Sequence, residues 1–207
     1  MKNDFIVTIQ AVTEREQNVK EMLKRLPSGV RVHYDTDRIS PLHSFVQMLD
    51  IEFTDYRLHL QDDVILPQGF KDYLPTILKD MKERNIEVLS LFAPRRKKLK
   101  ELYKAGETYV KFNNFLWLQA VIFSKEVIDG IKRYIKHCKT FGIEYGEGKH
   151  DDILVREYLK EDKKTAYCHL PSLVQHNTYM KSTMSHANSI QRASDIYDLN
   201  YIKKQLN

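Results

Sequence analysis

Short strand-like segments alternate with longer helix-like ones over the first 92 residues, and this alternation restricts the possible folds more than any other feature. Residues 5–9 form a β-branched run that is typical of a strand buried on both faces. Further strand-like segments lie at residues 30–34, around Leu58 and Leu60, and at 87–92, and apolar residues recur at helical spacing between them. The β-α-β-α-β-α-β order predicts an α/β fold with a mostly parallel central sheet covered by helices.

Polar side chains follow the ends of the first three predicted strands. They are Thr13, Arg15, Asp35, Asp37, Asp62 and Asp63. Ligands of such sheets bind beyond the carboxyl ends of the strands, so this convergence predicts a site at that edge. The alternative is that the aspartates only form surface turns, where Asp is common.

Asp62 and Asp63 lie between two hydrophobic segments, directly after the strand that contains Leu58 and Leu60. A charge beside a core is costly to desolvate without a partner. Carboxylate oxygens are the preferred ligands of hard divalent cations. The pair therefore indicates a cation site or, in the alternative, a strand end that opens a surface turn.

Helix starts are predicted at two places that carry polar residues. Thr13 and Glu16 have the spacing of a capping box, with Thr13 as the N-cap. Asp151 and Asp152 begin a later helix, where the helix dipole favours negative charge. These two acids are either plain helix-terminal residues or candidates for proton transfer. Pro75 lies within the predicted helix at 70–84 and is tolerated only in a first turn.

Four motifs occur in a definite order along the chain. They are the turn with Thr13 and Arg15, the strand end Gln61-Asp62-Asp63, the helix start Asp151-Asp152, and a Pro-Ser-Leu-Val-Gln-His segment that ends at His176. In this ordered set the chain resembles the GT-A class of glycosyltransferases, which use nucleotide-sugar donors. The resemblance covers roughly the first 176 residues. Gln61 departs from it, because the class often has Asp there.

The resemblance implies a domain organisation. Residues 1–176 would form a single GT-A-like domain whose N-terminal half is Rossmann-like. The donor would bind to the half at 1–93, and the half at 94–176 would shape the acceptor side. Residues 177–207 would be a polar C-terminal extension.

Roles for individual residues also come from the resemblance. It implies Mn²⁺ or Mg²⁺ held by Asp63 and His176, although His176 could equally cap a strand. The nucleotide-sugar, with a UDP-sugar expected, would be bound by Thr13, Arg15, Asp35, Asp37 and Asp62. Asp152 is the first choice for the base of an inverting transfer, and Asp151 is the second.

The whole chain has 33 Lys and Arg against 28 Asp and Glu, which gives a net charge of +5 and favours anionic partners. Two groups of basic residues in the second half suggest that the acceptor is anionic. One run contains Arg95, Arg96, Lys97 and Lys98, and one helix face contains Lys132, Arg133, Lys136 and Lys139. Duplex DNA with modified bases, as for some phage enzymes of this class, or another anionic polymer would suit these surfaces. The alternatives are a solvated loop, a noncatalytic nucleic-acid-binding α/β protein, or a nucleotidyltransferase. The last lacks support because no Gly-rich loop follows the first strand.

The remaining features concern the compartment and the second half of the sheet. Cys138 and Cys168 are far apart in the sequence, without Cys-x-x-Cys spacing, which disfavours a disulfide or zinc site and fits a reducing cytoplasm. We expect no membrane span, because no apolar run has transmembrane length, and the N-terminus shows no signal pattern. Strands are predicted at 109–112 and 115–123, around Asn113 and Asn114, with Trp117 as a core residue.

Overall fold

The computed structural model describes residues 5–112, 117–178 and 193–206. Asn113 and Asn114 lie outside these residues, as do the start of the strand predicted at 115–123 and about half of the predicted C-terminal extension. The described part of the chain has an α/β fold in which helices cover a seven-stranded mixed sheet.

The strands and their order define the sheet. They are β1 (Phe5–Ala11), β2 (Arg31–Tyr34), β3 (Tyr56–Gln61), β4 (Val64–Ile65), β5 (Val88–Ser90), β6 (Tyr109–Lys111), β7 (Ala120–Ser124), β8 (Tyr167–His169) and β9 (Gln175–His176). Among the described residues the central sheet has the order β2-β1-β3-β7-β5-β8-β6, and β4 and β9 form a separate two-stranded sheet.

Strand directions confirm the predicted parallel arrangement only in part. β2, β1, β3, β5 and β8 point in the same direction, whereas β7 and β6 run in the opposite one. β7 lies between β3 and β5, so the parallel strands are separated into two groups at the middle of the sheet. The carboxyl ends of β1 and β3 therefore meet the start of β7 at one edge, as the backbone hydrogen bond from Gln61 to the Gln119 carbonyl (2.9 Å) shows.

Helices pack on both faces of the sheet. They are α1 (Glu16–Leu23), α2 (Pro41–Met48), α3 (Phe70–Glu83), α4 (Lys97–Lys104), α5 (Lys125–Phe141), α6 (Asp151–Glu161) and α7 (Tyr201–Leu206). One apolar cluster joins the sheet to α1, α3 and α7, and a second joins it to α2, α4, α5 and α6. No helix among the described residues is long and apolar enough to span a membrane.

Two local predictions about helices are wrong, one about a helix start and one about a proline. Thr13 does not cap a helix with its side chain, because residues Thr13–Arg15 form a 3₁₀ turn and α1 begins only at Glu16. This turn directs Arg15 towards the end of β3, where it binds acids. Pro75 lies inside α3, beyond the first turn, on the exposed side of the helix. α3 therefore accommodates Pro75 without burying the free carbonyl that the missing N–H leaves.

β3 carries two buried basic side chains, Arg57 and His59. The Arg57 guanidinium donates to the carbonyls of Met48 (2.9 Å) and Ile51 (2.5 Å), so it fixes the connection from α2 to β3. Burial lowers the pKa of Arg57 to about 10. His59 packs edge-on against Phe45, and burial lowers its pKa to about 3, so His59 is neutral. Both residues serve the core rather than the chemistry.

The described part of the C-terminal stretch packs onto the domain. Ser172 pairs with Tyr197 in an isolated bridge, and the Gln175 amide makes two hydrogen bonds to the Ser194 backbone (3.0 and 2.8 Å). Ile202 of α7 is buried in the cluster that contains α3. Residues 193–206 thus belong to the folded body.

Both cysteines are free and buried. Cys138 lies on α5 and Cys168 on β8, and their side chains are almost inaccessible. Burial raises the pKa of the Cys168 thiol well above its usual range. The expectation that the two do not form a disulfide is therefore confirmed.

Candidate active site

An acid pair at the end of β3 forms the centre of the site. Asp62 and Asp63 are 4% and 9% exposed, and the Arg15 guanidinium lies between them, 2.6 Å from Asp62 Oδ1 and 3.3 Å from Asp63 Oδ2. The backbone N–H of Val12 donates to Asp62 Oδ2 (2.7 Å). The turn after β1 thus supplies both a cation and a backbone donor to the carboxylates that follow β3.

Two asparagines hold the backbone around this acid pair. The Asn18 amide on α1 donates to the carbonyls of Asp62 (2.5 Å) and Val64 (3.2 Å). Asn177, directly after β9, donates its backbone N–H to the Asp63 carbonyl (2.7 Å). α1 and β9 therefore fix the position of Asp63 from two sides.

His176 lies opposite Asp63, as the motif resemblance implied. Val64 pairs with His176 across the β4–β9 sheet, which brings His176 Nε2 to 3.3 Å from Asp63 Oδ2. The imidazole is 3% exposed, and neither ring nitrogen makes a hydrogen bond of acceptable geometry among the described residues. A buried polar group without such a bond usually has a functional explanation, so this imidazole is available as a ligand.

The second acid pair reaches the same edge of the sheet from the other half of the chain. Asp151 is 5% exposed and Asp152 is half-buried, both in the first turn of α6. Gln61 Nε2 donates to Asp151 Oδ2 (3.2 Å), although 90 positions separate these residues. The last residue of β3 thus joins the two acid pairs.

The turn before α6 is shaped by close packing against α2. Gly146 has φ +61°, and a Cβ there would lie 3.0 Å from the Leu42 side chain. Its backbone N–H donates to the Glu157 carboxylate (2.8 Å), and the Leu42 backbone N–H donates to the Lys149 carbonyl (3.3 Å). Only glycine combines this backbone conformation with the available space. Gly146 therefore helps to fix where α6 begins.

Three of these acids have raised pKa values because of their surroundings. Burial raises the pKa of Asp151 to about 7, and the adjacent Asp152 charge contributes to the rise. Burial also raises the pKa of Asp152 and of Asp62, and the Arg15 guanidinium opposes the rise for Asp62. At neutral pH the buried Asp151 is therefore the carboxyl that retains a proton most readily.

A metal ion would find a partial ligand set here. The described residues contain no group of three or more His, Cys, Asp or Glu side chains placed to hold a metal. Asp63, in the turn directly before β4, and His176, on β9, supply two donor atoms. This arrangement fits a cation such as Mg²⁺ or Mn²⁺, which binds through one or two protein ligands and takes the rest from substrate phosphates and water.

The remaining residues predicted to bind the donor lie at the same edge but on its surface. The exposed Thr13 hydroxyl contacts Glu14 (3.4 Å). Asp35 accepts from the Arg38 backbone (2.8 Å), and Asp37 accepts from the Thr36 hydroxyl (3.3 Å). These contacts are those of turn residues, and they do not involve the two acid pairs.

The predicted acceptor patch is less uniform than its sequence. Arg95 lies 3.9 Å from Asp195, and Lys97 lies 3.9 Å from Glu101. Lys98 is exposed on α4. Arg96 is half-buried and stacks over the rings of Phe112 and Trp117 at 5.6 and 6.0 Å. Arg96 therefore supports local packing, while the other three side chains remain on the surface.

A second basic surface lies on α5. Lys132, Lys136 and Lys139 line a hollow of about 460 Å³ whose floor contains Val46, Leu49 and Ile135 of the α2 region and α5. Lys132 pairs with Asp50 (2.7 Å). The hollow combines apolar contact with positive charge, and three of the four basic residues predicted for this helix face line it, whereas Arg133 does not.

The comparisons with known proteins identify no family for the chain, so the functional assignment depends on the geometry of the site. No protein-family model matches the chain, and a search of curated proteins found no match. Sequence reasoning also missed Asn18 and Asn177, which hold the acid pair. Asn177 directly follows the predicted segment that ends at His176, whereas Asn18 lies inside a helix and carries no comparable sequence signal.

Proposed function

We propose that the protein is a metal-assisted, inverting glycosyltransferase that moves a hexose from a nucleotide-sugar, with a UDP-sugar as the expected donor, to an acceptor hydroxyl. The observation that carries the proposal is the meeting of two acid pairs from distant parts of the chain. Gln61 links Asp151 to the strand end that bears Asp62 and Asp63. Arg15 and His176 contact the same strand end. An attacking hydroxyl needs a base on one side of the anomeric carbon, and a leaving diphosphate needs positive charge on the opposite side.

Each group has a role that follows from its surroundings. A divalent cation held by Asp63 and His176 would supply Lewis-acid stabilisation of the leaving diphosphate. Arg15 carries a guanidinium beside both acids and pairs with phosphate oxygens. Asp62, held by Arg15 and Val12, orients the ribose or the donor sugar. The nucleoside would lie at the part of the sheet edge that carries Thr13, Asp35 and Asp37.

The transfer itself needs a base on the acceptor side. The acceptor oxygen forms a bond to the anomeric carbon, and the bond from that carbon to the diphosphate oxygen breaks with its electron pair. The hydroxyl proton passes to the Asp152 carboxylate. Asp152 is half-buried at the N-terminus of α6 and can meet a substrate, whereas Asp151 is enclosed. Burial raises the pKa of Asp151 to about 7, so Asp151 retains its proton more readily than an ordinary carboxyl, and Asp152 is the acid proposed to accept the hydroxyl proton.

Two other functions are supported less well. A nucleotidyltransferase would also use strand-end carboxylates and a metal, but it leaves the Asp151-Asp152 pair without a task. A noncatalytic nucleic-acid-binding protein would use the basic surfaces alone and would not need buried acids of raised pKa.

A donor screen tests the proposal. We expect hydrolysis of one nucleotide-sugar in a panel to rise when manganese is added, and to fall to background in Asp63→Asn and His176→Gln. Release of nucleoside diphosphate measures the reaction. The Asp72→Asn variant is the matched control, because Asp72 is an exposed acid on α3 that has no part in the proposed site. Absence of metal-stimulated hydrolysis for every donor in the panel would contradict the proposal.

The acceptor proposed for this enzyme is duplex DNA, with another anionic polymer as the alternative, and the reaction takes place in the cytoplasm. Support comes from the two basic surfaces, α4 with the preceding Arg95 and the α5 hollow, both in the second half of the chain. Phosphate contacts from such surfaces would position the acceptor without reading its sequence.

Replacing Arg95, Lys97 and Lys98 together by Gln is expected to weaken duplex DNA binding. The slope of log affinity against log salt should fall by about 0.9 for each phosphate that the variant no longer neutralises. Arg96 is retained because it stacks on two rings. A triple Gln variant of Lys20, Lys24 and Lys79, which also have acidic neighbours on their own helices, controls for net charge. Equal affinities of the two triple variants would show that the α4 patch does not bind the acceptor.

A further inference from the structure

Gln61 occupies the position where the two acid pairs meet. It is the last residue of β3, directly before Asp62, and its side chain is only partly buried. Its amide donates to Asp151 Oδ2 (3.2 Å), and the backbone N–H of Asp152 donates to Asp151 Oδ1 (2.9 Å). Both oxygens of the buried Asp151 carboxyl are therefore held, one by each half of the chain.

Charged groups face Asp151 from its own helix and from the elements packed against it. Burial raises the pKa of Asp151, and the charge of the adjacent Asp152 on the same helix adds to the rise. His150 and Arg156 act on Asp152. On the packed elements, Glu157 turns to the Gly146 backbone (2.8 Å), and His43 of α2 contacts Gln47 on its own helix (2.9 Å). Gln61 is thus the side chain that reaches Asp151 from the sheet.

We propose that Gln61 is a positioning residue that holds the Asp151 carboxyl in a fixed orientation, so that Asp152 is the acid of the pair that is left to face the substrate. The effect on turnover rests on the proposed function, but the effect on the acid pair does not. An amide suits this task because it can donate to a carboxylate and, after a flip of the amide group, accept from a carboxylic acid. Gln61 therefore tolerates either protonation state of Asp151.

An acid at position 61 would have the opposite effect. A carboxylate there would face a buried carboxyl at hydrogen-bond distance, and like charges in one site cannot both ionise freely. It would also add a charge beside Asp62 in the sequence. The geometry thus explains why this strand end carries an amide where an Asp-x-Asp motif would have an acid.

Gln10 provides an internal comparison. It is the register partner of Gln61 on β1, so both side chains project from the same face of the sheet. Its amide donates to the Pro41 carbonyl (3.0 Å) and not to an acid. Gln10→Met therefore removes a buried amide of the same type without touching Asp151.

The test is a carboxyl NMR titration of full-length protein labelled with ¹³C at aspartate, with the Asp151 signal assigned by Asp151→Asn. Gln61→Met is expected to raise the Asp151 midpoint, because the hydrogen bond to the charged form is removed. Gln61→Glu should raise it more, by about one unit. Gln10→Met should leave it unchanged.

The same variants separate this inference from the proposed function. If transfer is measurable, the acidic limb of the turnover profile should move upward in Gln61→Glu, because this variant adds a charge beside the acid pair. It should not move upward in Gln61→Met, because an Asp151 that is more readily protonated repels the Asp152 charge less, and KM should change little in both variants. An Asp151 midpoint that is the same in wild type, Gln61→Met and Gln61→Glu would overturn the inference, whether or not any donor is used. If Gln61→Glu does not fold, Gln61→Met decides. A shifted midpoint without any transfer activity would uphold the positioning role and count against the proposed function alone.

Discussion

Asp152→Asn is expected to lower the turnover number by about 10²- to 10⁴-fold while donor affinity stays nearly unchanged, because a general base contributes to the transition state and not to binding. The substitution is conservative in structure. The Asp152 side chain accepts from the Ile153 backbone (2.9 Å), and an asparagine oxygen can make the same bond. Steady-state turnover and calorimetric donor titration provide the two measurements.

Asp151→Asn is the matched control for that prediction. If Asp151 retains its proton near neutral pH, asparagine imitates the neutral acid, and we expect most of the activity to remain. Loss of activity in Asp151→Asn with normal activity in Asp152→Asn would reverse the two roles. Wild-type turnover in both variants would reduce the pair to a helix cap.

The pH dependence of the stability of Asp151→Asn provides an independent test of the protonation of Asp151. Burial raises the pKa of Asp151 from 3.8 to about 7, so between these pH values the folded state binds more protons than the unfolded state. The contribution of Asp151 to the free energy of unfolding is therefore fully present below its unfolded pKa. It is lost as pH rises towards about 7, by up to roughly 4 kcal/mol. Asp151→Asn should flatten this part of the pH dependence of unfolding.

Arg15→Met is expected to reduce the free energy of unfolding by about 3–5 kcal/mol at pH 7.5, which is the usual result of removing one partner of a buried ion pair. The side chains of Arg15 and of its partner Asp62 are 10% and 6% exposed. The methionine keeps the apolar stem but leaves two buried carboxylates without the guanidinium. Denaturant unfolding at pH 7.5 and pH 5 measures the destabilisation.

The pH series and a surface pair test the cause of that destabilisation. It should shrink at pH 5, because burial already raises the pKa of Asp62 and the missing guanidinium would raise it further. Arg38→Met is the control, since Arg38 and Glu14 form an exposed pair whose removal should cost less than about 1 kcal/mol. Added Mn²⁺ should restore part of the stability if Asp63 and His176 bind it. Equal destabilisation by Arg15→Met and Arg38→Met would show that the buried pair is not important for folding.

The parts of the fold that depend on local sequence patterns could be predicted. Period-two and helical spacing located most strands and helices, and the strand-end acids indicated the edge of the sheet where the site lies. The antiparallel direction of β7 could not be predicted, because strand direction depends on which neighbours a strand pairs with and not on its own residues.

The site shows the same limit at the level of side chains. The motif order predicted that Asp63 and His176 would meet, and their atoms lie 3.3 Å apart. That a metal joins them stays a prediction. The bonds from Arg15 to both acids and from Gln61 to Asp151 depend on rotamers set by packing between distant elements. The capping-box prediction for Thr13 failed because the turn is shaped by Asp62, which binds the Val12 backbone across 50 positions.

The two buried cysteines make the folded chain convenient for chemical labelling. Cys138 and Cys168 are 1% and 0% exposed, so thiol-reactive dyes have little access to either in the native state. A cysteine introduced on the exposed side of α4, for example Lys98→Cys, would react selectively without removal of the natural ones. A fluorophore there would report acceptor binding directly, even before the chemical identity of the acceptor is known.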